Sequence, residues 1–131
     1  MRAFGRALKQ TLWSAANVRL LDDLGLESWT AGGCLILAQA LRSLLPEARI
    51  ASLTADGRHV GHAVVLLDGW VLDGDGASTV AAFKRRWAEE ELIPGVLKLE
   101  RPVRWAPDIP QDAHTRKALL ENLRKALNKY L

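Results

Sequence analysis

The sequence holds a single cysteine, Cys34, and its three histidines are His59, His62 and His114. One cysteine cannot close an internal disulfide, and a thiolate zinc knuckle needs several thiols, so the chemistry open to Cys34 is that of a nucleophile. A thiolate, not a thiol, attacks an electrophile, and a helix N-terminus favours it through unpaired N–H groups and the helix dipole. Cys34 opens an apolar stretch directly after Gly32-Gly33, the place such a thiol needs. The glycines would allow a sharp turn into a helix and close approach of a substrate backbone. The Cys34 N–H could then hold an oxyanion.

A base must lie within reach. His62 falls inside His59-Val60-Gly61-His62-Ala63-Val64-Val65-Leu66-Leu67, a strand whose alternation puts His62, Val64 and Leu66 on one face. Asp68-Gly69 between apolar residues is a two-residue hairpin turn. In that register Leu67 opposes Trp70, Val64 opposes Asp73 and His62 opposes Asp75. Asp75 is thus directly across from His62, and Asp73 lies on the diagonal at about 7–8 Å between backbones. Either carboxylate could orient the imidazole as the third member of a triad.

The remaining elements must position this set. Residues 2–24 read as one amphipathic helix with Phe4, Leu8, Leu12, Trp13, Val18, Leu20 and Leu21 at helical intervals, ended by Gly25. Residues 27–33 form a loop. Cys34–Leu45 is apolar nearly all round until Arg42 and stops at Pro46, the pattern of a helix buried on most sides. Strands are expected over Ala48–Thr54, Val60–Leu67 and Trp70–Asp73, with a turn at Ala55-Asp56-Gly57. A helix capped by Ser78 or Thr79 follows over Val80–Leu92, with Phe83 and Trp87 on one face and Pro94-Gly95 after it. A further strand over Val96–Val103 would lie at an edge because of Pro102. A loop with Pro107 and Pro110 then leads to a last helix, Asp112–Tyr130. Helices first, strands in the middle and a helix last give an α+β fold. With 131 residues, 49% of them hydrophobic, the whole chain is expected to be one domain.

The run Gly33-Cys34, the apolar helix with Ala38, the strand ending near Thr54, and then Gly-His-Ala-Val-Val-Leu-Leu-Asp-Gly-Trp-Val-Leu-Asp-Gly-Asp-Gly resembles the papain-like and transglutaminase-like cysteine fold. It is also similar to small bacterial and phage proteins of unassigned function. The resemblance covers roughly residues 29–77. It implies a buried Cys-bearing helix packed on a small antiparallel sheet, flanked here by N- and C-terminal helices. By position it makes Cys34 the nucleophile, His62 the base and Asp73, rather than Asp75, the orienting acid. The implied activity is that of a cysteine hydrolase or acyltransferase acting on an amide, isopeptide or thioester, with no cofactor. Trp29, Gly32, Gly33 and Asp75 are the expected substrate contacts, Trp29 as a wall for an acyl group. No Gln stands a few residues before Cys34, where papain-like peptidases place an oxyanion side chain; that stretch reads Glu27-Ser28-Trp29.

A second reading is a non-enzymatic phage or mobile-element protein on the same scaffold that binds and inhibits a protein or nucleoprotein partner. The formal net charge of +3 is small for a nucleic-acid binder. It is concentrated in Arg116, Lys117, Arg124, Lys125 and Lys129 of the last helix, better read as a solvated face. A metal site from His59, His62, Asp73 and Asp75 matches no ligand spacing. His59 is expected at the surface, and His114 sits beside the cap of the last helix. The longest uncharged run, Ser28–Leu41, is shorter than a membrane span of about 20 residues, and the first ten residues lack a secretory pattern. A cytoplasmic protein with no membrane partner is expected.

Overall fold

The computed structural model describes residues 1–54, 62–91, 96–98 and 109–131. The expected turn at Ala55-Asp56-Gly57, His59, Gly61, Pro94-Gly95, the strand beyond Lys98 with Pro102, and Trp105 and Pro107 lie outside the described residues.

The chain is α+β. Its order is α1 (Arg2–Leu12), α2 (Ala15–Leu24), α3 (Cys34–Leu44), β1 (Arg49–Thr54), β2 (His62–Leu67), β3 (Trp70–Asp73), β4 (Gly76–Thr79), α4 (Val80–Glu91), β5 (Val96–Lys98) and α5 (Ala113–Leu127), with a final 3₁₀ turn at Asn128–Tyr130. The five strands form one sheet in the order β4-β3-β2-β1-β5, and every paired neighbour is antiparallel.

The centre of the fold is α3. Cys34 to Ala38, Ala40, Leu41 and Leu44 are all buried, because the helix packs on β2 along one side and on α5 along another. Strand β2 is covered on both faces. Ala63 and Val65 join the large core with α3, while Val64 joins a smaller cluster of Ala51, Leu53, Val71 and Phe83 under α4. The tight turn into β3 has positive φ at both Asp68 (51°) and Gly69 (80°), as a type I′ hairpin requires. It sets the expected register: Leu67 opposes Trp70, Leu66 opposes Val71 and Val65 opposes Leu72.

Three differences from the sequence reading have local causes. The first helix is two helices, α1 and α2, and Trp13 at their junction is 64% exposed rather than part of the apolar face. The break is held by Asn17, whose side-chain amide donates to the Thr11 carbonyl at 2.8 Å and whose Oδ1 accepts from Asn122 of α5 at 2.9 Å. Second, the paired ladder of β2 and β3 ends at Val65 and Leu72, so Val64–Asp73 and His62–Asp75 are not ladder pairs. Third, a strand that the sequence reading does not place, β4, follows β3: after Gly74-Asp75 the chain folds back, and Asp73 pairs with Gly76. Thr79 then caps α4 by accepting from the Ala82 N–H at 3.2 Å, and Asp112 caps α5 by accepting from the Thr115 N–H. None of the helices among the described residues is long and apolar enough to cross a membrane.

Strand β4 is pinned from outside by α1. A Cβ on Gly5 would stand 2.6 Å from both Cβ and N of Ala77, and one on Gly76, whose φ is +101°, would stand 2.7 Å from the Gly5 carbonyl oxygen. Gly5→Val is therefore expected to destabilise the protein by about 1–3 kcal/mol through overpacking, whereas Gly25→Ala, with open space around it but a φ of +66°, is expected to cost about 1–2 kcal/mol through backbone strain alone. Urea unfolding of the two variants measures both.

Candidate functional site

Three elements, α3, β2 and β3, meet at the first turn of α3. Cys34 is 6% exposed, His62 at the start of β2 is 5% exposed, and Asp73 at the end of β3 is 4% exposed. His62 Nε2 lies 3.6 Å from Asp73 Oδ2, an ion-pair separation longer than a tight hydrogen bond. The His62 ring, with the backbone N–H groups of Ala63 and Leu35, makes up the polar surroundings that act on the buried Cys34 thiol.

The electrostatics follow from these partners. Burial pushes the Cys34 thiol up. The hydrogen bond and charge of His62, together with the Ala63 and Leu35 N–H groups, outweigh it and bring the thiol below its ordinary value. Burial likewise pushes His62 down, but Asp73 and Cys34 more than compensate and raise it to about 9. The two shifts point the same way, to a thiolate beside an imidazolium, and the pair titrates as a unit.

The loop before α3 is built to deliver Cys34 to this point. Gly32 has a φ of +99°, open to glycine at little cost. Ser28 Oγ accepts from the N–H groups of Thr30 and Ala31, and the Gly33 N–H donates to the Ser28 carbonyl at 3.0 Å. A Cβ on Gly33 would meet the Trp29 ring at 2.8 Å, and one on Gly74 would meet Thr30 Cγ2 at 2.7 Å. These contacts seat the loop against the turn that follows Asp73. They also revise two expected substrate contacts. The space beside Gly33 is taken by the indole of Trp29, which is 4% exposed, so Trp29 supports the loop from inside. Its other surroundings are a small pocket with Leu12, Trp13, Leu21, Thr30, Gly74 and Asp75.

Asp75 does not face the imidazole. Its N–H donates to Asp73 Oδ1 at 2.9 Å, and its side chain is 45% exposed. The chain turns at Gly74-Asp75 instead of continuing along β2, which carries Asp75 away from the position opposite His62. His114 is exposed, and so are Lys117, Arg124, Lys125 and Lys129. No group of three or more metal-binding side chains is gathered among the described residues.

Helix α4 supplies partners that carry no motif. The His62 ring stacks on Phe83 (centroids 6.2 Å apart) and Trp87 (5.5 Å). The Phe83–Trp87 spacing marks one helix face in the sequence, but not what that face covers. Arg86 Nη2 lies 3.5 Å from Asp73 Oδ2, the same oxygen that faces His62. Nothing in the sequence singles Arg86 out from Lys84 and Arg85 beside it.

Searches against family models, curated proteins and solved structures found no match for the chain.

The raised value of His62 makes a signed prediction. A group whose folded value is raised contributes stability that is complete below its unfolded value, ordinarily 6.5, and is lost as pH rises through about 9. Asp73→Asn removes the carboxylate that helps raise it. The stability gap between wild type and Asp73→Asn is expected to be largest near pH 6, at about 1–3 kcal/mol, and to narrow steadily toward pH 9.5. Urea unfolding across that range measures it.

Proposed function

We propose that the chain is a cysteine hydrolase or acyltransferase acting on an amide, isopeptide or thioester, built on a papain-like or transglutaminase-like core. One observation carries the reading: the lone cysteine, at the first turn of a buried helix, has as its polar neighbour a buried histidine whose Nε2 faces a buried aspartate at 3.6 Å. The order Cys, His, Asp along helix, strand and strand supports the same reading.

The chemistry follows from the positions. The Cys34 thiolate attacks the carbonyl carbon, and the carbonyl electron pair moves onto oxygen. The first N–H groups of a helix have no acceptor within it, and in this reading that of Cys34 holds the oxyanion. As the tetrahedral adduct collapses, His62 gives its proton to the departing amine or thiol, leaving an acyl-thioester on Cys34. Water or an acceptor amine then attacks the thioester while His62 takes a proton, and Cys34 leaves as thiolate. Asp73 keeps the imidazole oriented and stabilises its charged form through both steps.

The burial of Cys34 and His62, at 6% and 5% exposure, favours a second reading: a non-enzymatic protein on the same scaffold that acts by binding a protein or nucleoprotein partner. Cys34→Ala separates the two. Loss of acyl transfer in a folded variant fits the enzyme, and partner capture that survives fits the binder.

Alkylation by iodoacetamide from pH 4 to 9 tests the site itself. The rate is expected to stay high well below the ordinary thiol range near pH 8.5. In His62→Ala it is expected to fall about tenfold or more at pH 6, because the lowered thiol value depends on His62. A wild-type profile that rises only near pH 8.5, or a thiol that does not react at all, would overturn the enzyme reading.

A further inference from the structure

We propose that Arg86 is a positioning residue that divides the Asp73 carboxylate between two cations and thereby sets the upper pH limit of the charged His62. The inference rests on the Cys34–His62–Asp73 reading of the site.

Asp73 Oδ2 faces His62 Nε2 at 3.6 Å and Arg86 Nη2 at 3.5 Å, while Oδ1 accepts the Asp75 N–H at 2.9 Å. One carboxylate oxygen therefore serves an imidazole and a guanidinium at nearly equal distance. A guanidinium stays charged throughout the working pH range, so Arg86 competes permanently for the oxygen that holds the imidazolium, and its like charge opposes protonation of the ring.

Arg86 is held in this position from three sides. Its Nη1 donates to Ser78 Oγ of β4 at 3.3 Å, its Nη2 also lies 3.9 Å from Asp75 Oδ2, and the guanidinium sits 5.4 Å over the Phe83 ring. Phe83 stacks on His62 in turn. The planar fork thus ties α4 to β4 and to the turn after Asp73, which a point-charge ammonium would do less specifically. At 31% side-chain exposure against 5% for Asp73, Arg86 closes the solvent side of the carboxylate.

Among the described residues, the charged or titratable groups around His62 are Cys34 from α3, Asp73 from β3, Asp75 from the following turn and Arg86 from α4. Its partner on β1 is the apolar Leu53. Lys84, Arg85 and Glu89, the other charges of α4 with described side chains, are exposed.

The test is the NMR titration of the His62 ring in the full chain, in a Cys34→Ala background so that the thiol does not titrate with it. Arg86→Met keeps the aliphatic packing and removes the charge. Its His62 midpoint is expected to rise by about half a unit, roughly a threefold shift in the protonation constant. Arg86→Lys, which keeps the charge, is expected to return the midpoint toward that of the Arg86 protein. Should Arg86→Met fail to fold, Arg86→Gln carries the same expectation. An unchanged or lowered midpoint in the neutral variant overturns the role of Arg86. Failure of the catalytic reading would appear separately, in the alkylation profile of the wild-type thiol.

Discussion

A thiol drawn toward its ionised form and an imidazole drawn toward its charged form are costly to bury singly, and the protein places both where water scarcely reaches. The arrangement holds because each charge is met by partners fixed by different elements. Cys34 has the His62 ring and the N–H groups of Ala63 and Leu35, and His62 has Asp73 on its far side. Asp73 is itself fixed, through the Asp75 N–H on one oxygen and Arg86 on the other. Remove any link and the next one is left as an uncompensated buried charge. That constraint explains why so much of the small fold converges on one helix turn.

The apolar framework sets where the chain of charges can sit. Helix α3 has almost no polar face, so it must be enclosed, and α5 and β2 enclose it. Enclosure lowers the local dielectric, which strengthens every pairing at the Cys34 end. The glycines do a different job from the one their position suggests. Gly33 and Gly74 are contact points where the Cys34 loop meets its own Trp29 and the turn beyond Asp73. The free space at both is used for internal packing, and that packing fixes the distance between the Cys34 loop and the Asp73 turn.

Much of this is legible in the sequence because the signals are local. The apolar run from Cys34, the Asp68-Gly69 turn and the Gly25 stop are each written within a few residues, and the corresponding elements stand where those residues put them. What is not legible depends on distant partners. The division of the first helix rests on Asn17 reaching Asn122 across the fold. Extended past Leu72, the hairpin register alone would put Asp75 opposite the His62 ring, and the reason that Asp73 stands there instead rests on β4. A short strand formed around Gly76 ends that extension, and its pairing needs α1 behind it. Arg86 has no local signature because its significance lies wholly in which oxygen it meets.

Helix α4 draws these points together. By composition it is a weakly apolar surface helix, and its packing against the sheet depends on Phe83, Val80 and Trp87 over a small cluster. Two of those three, Phe83 and Trp87, are also the rings stacked on His62, and Arg86 between them holds Asp73. The docking of α4 and the charge state of the site therefore share the same contacts. Through linkage, stabilising the imidazolium also stabilises the docked helix, and loosening the helix weakens the hold on the proton. On its exposed side α4 carries Lys84 and Arg85, which make no contact with the site. The helix thus separates its charges by role within three consecutive residues, two solvated and one bound to the carboxylate.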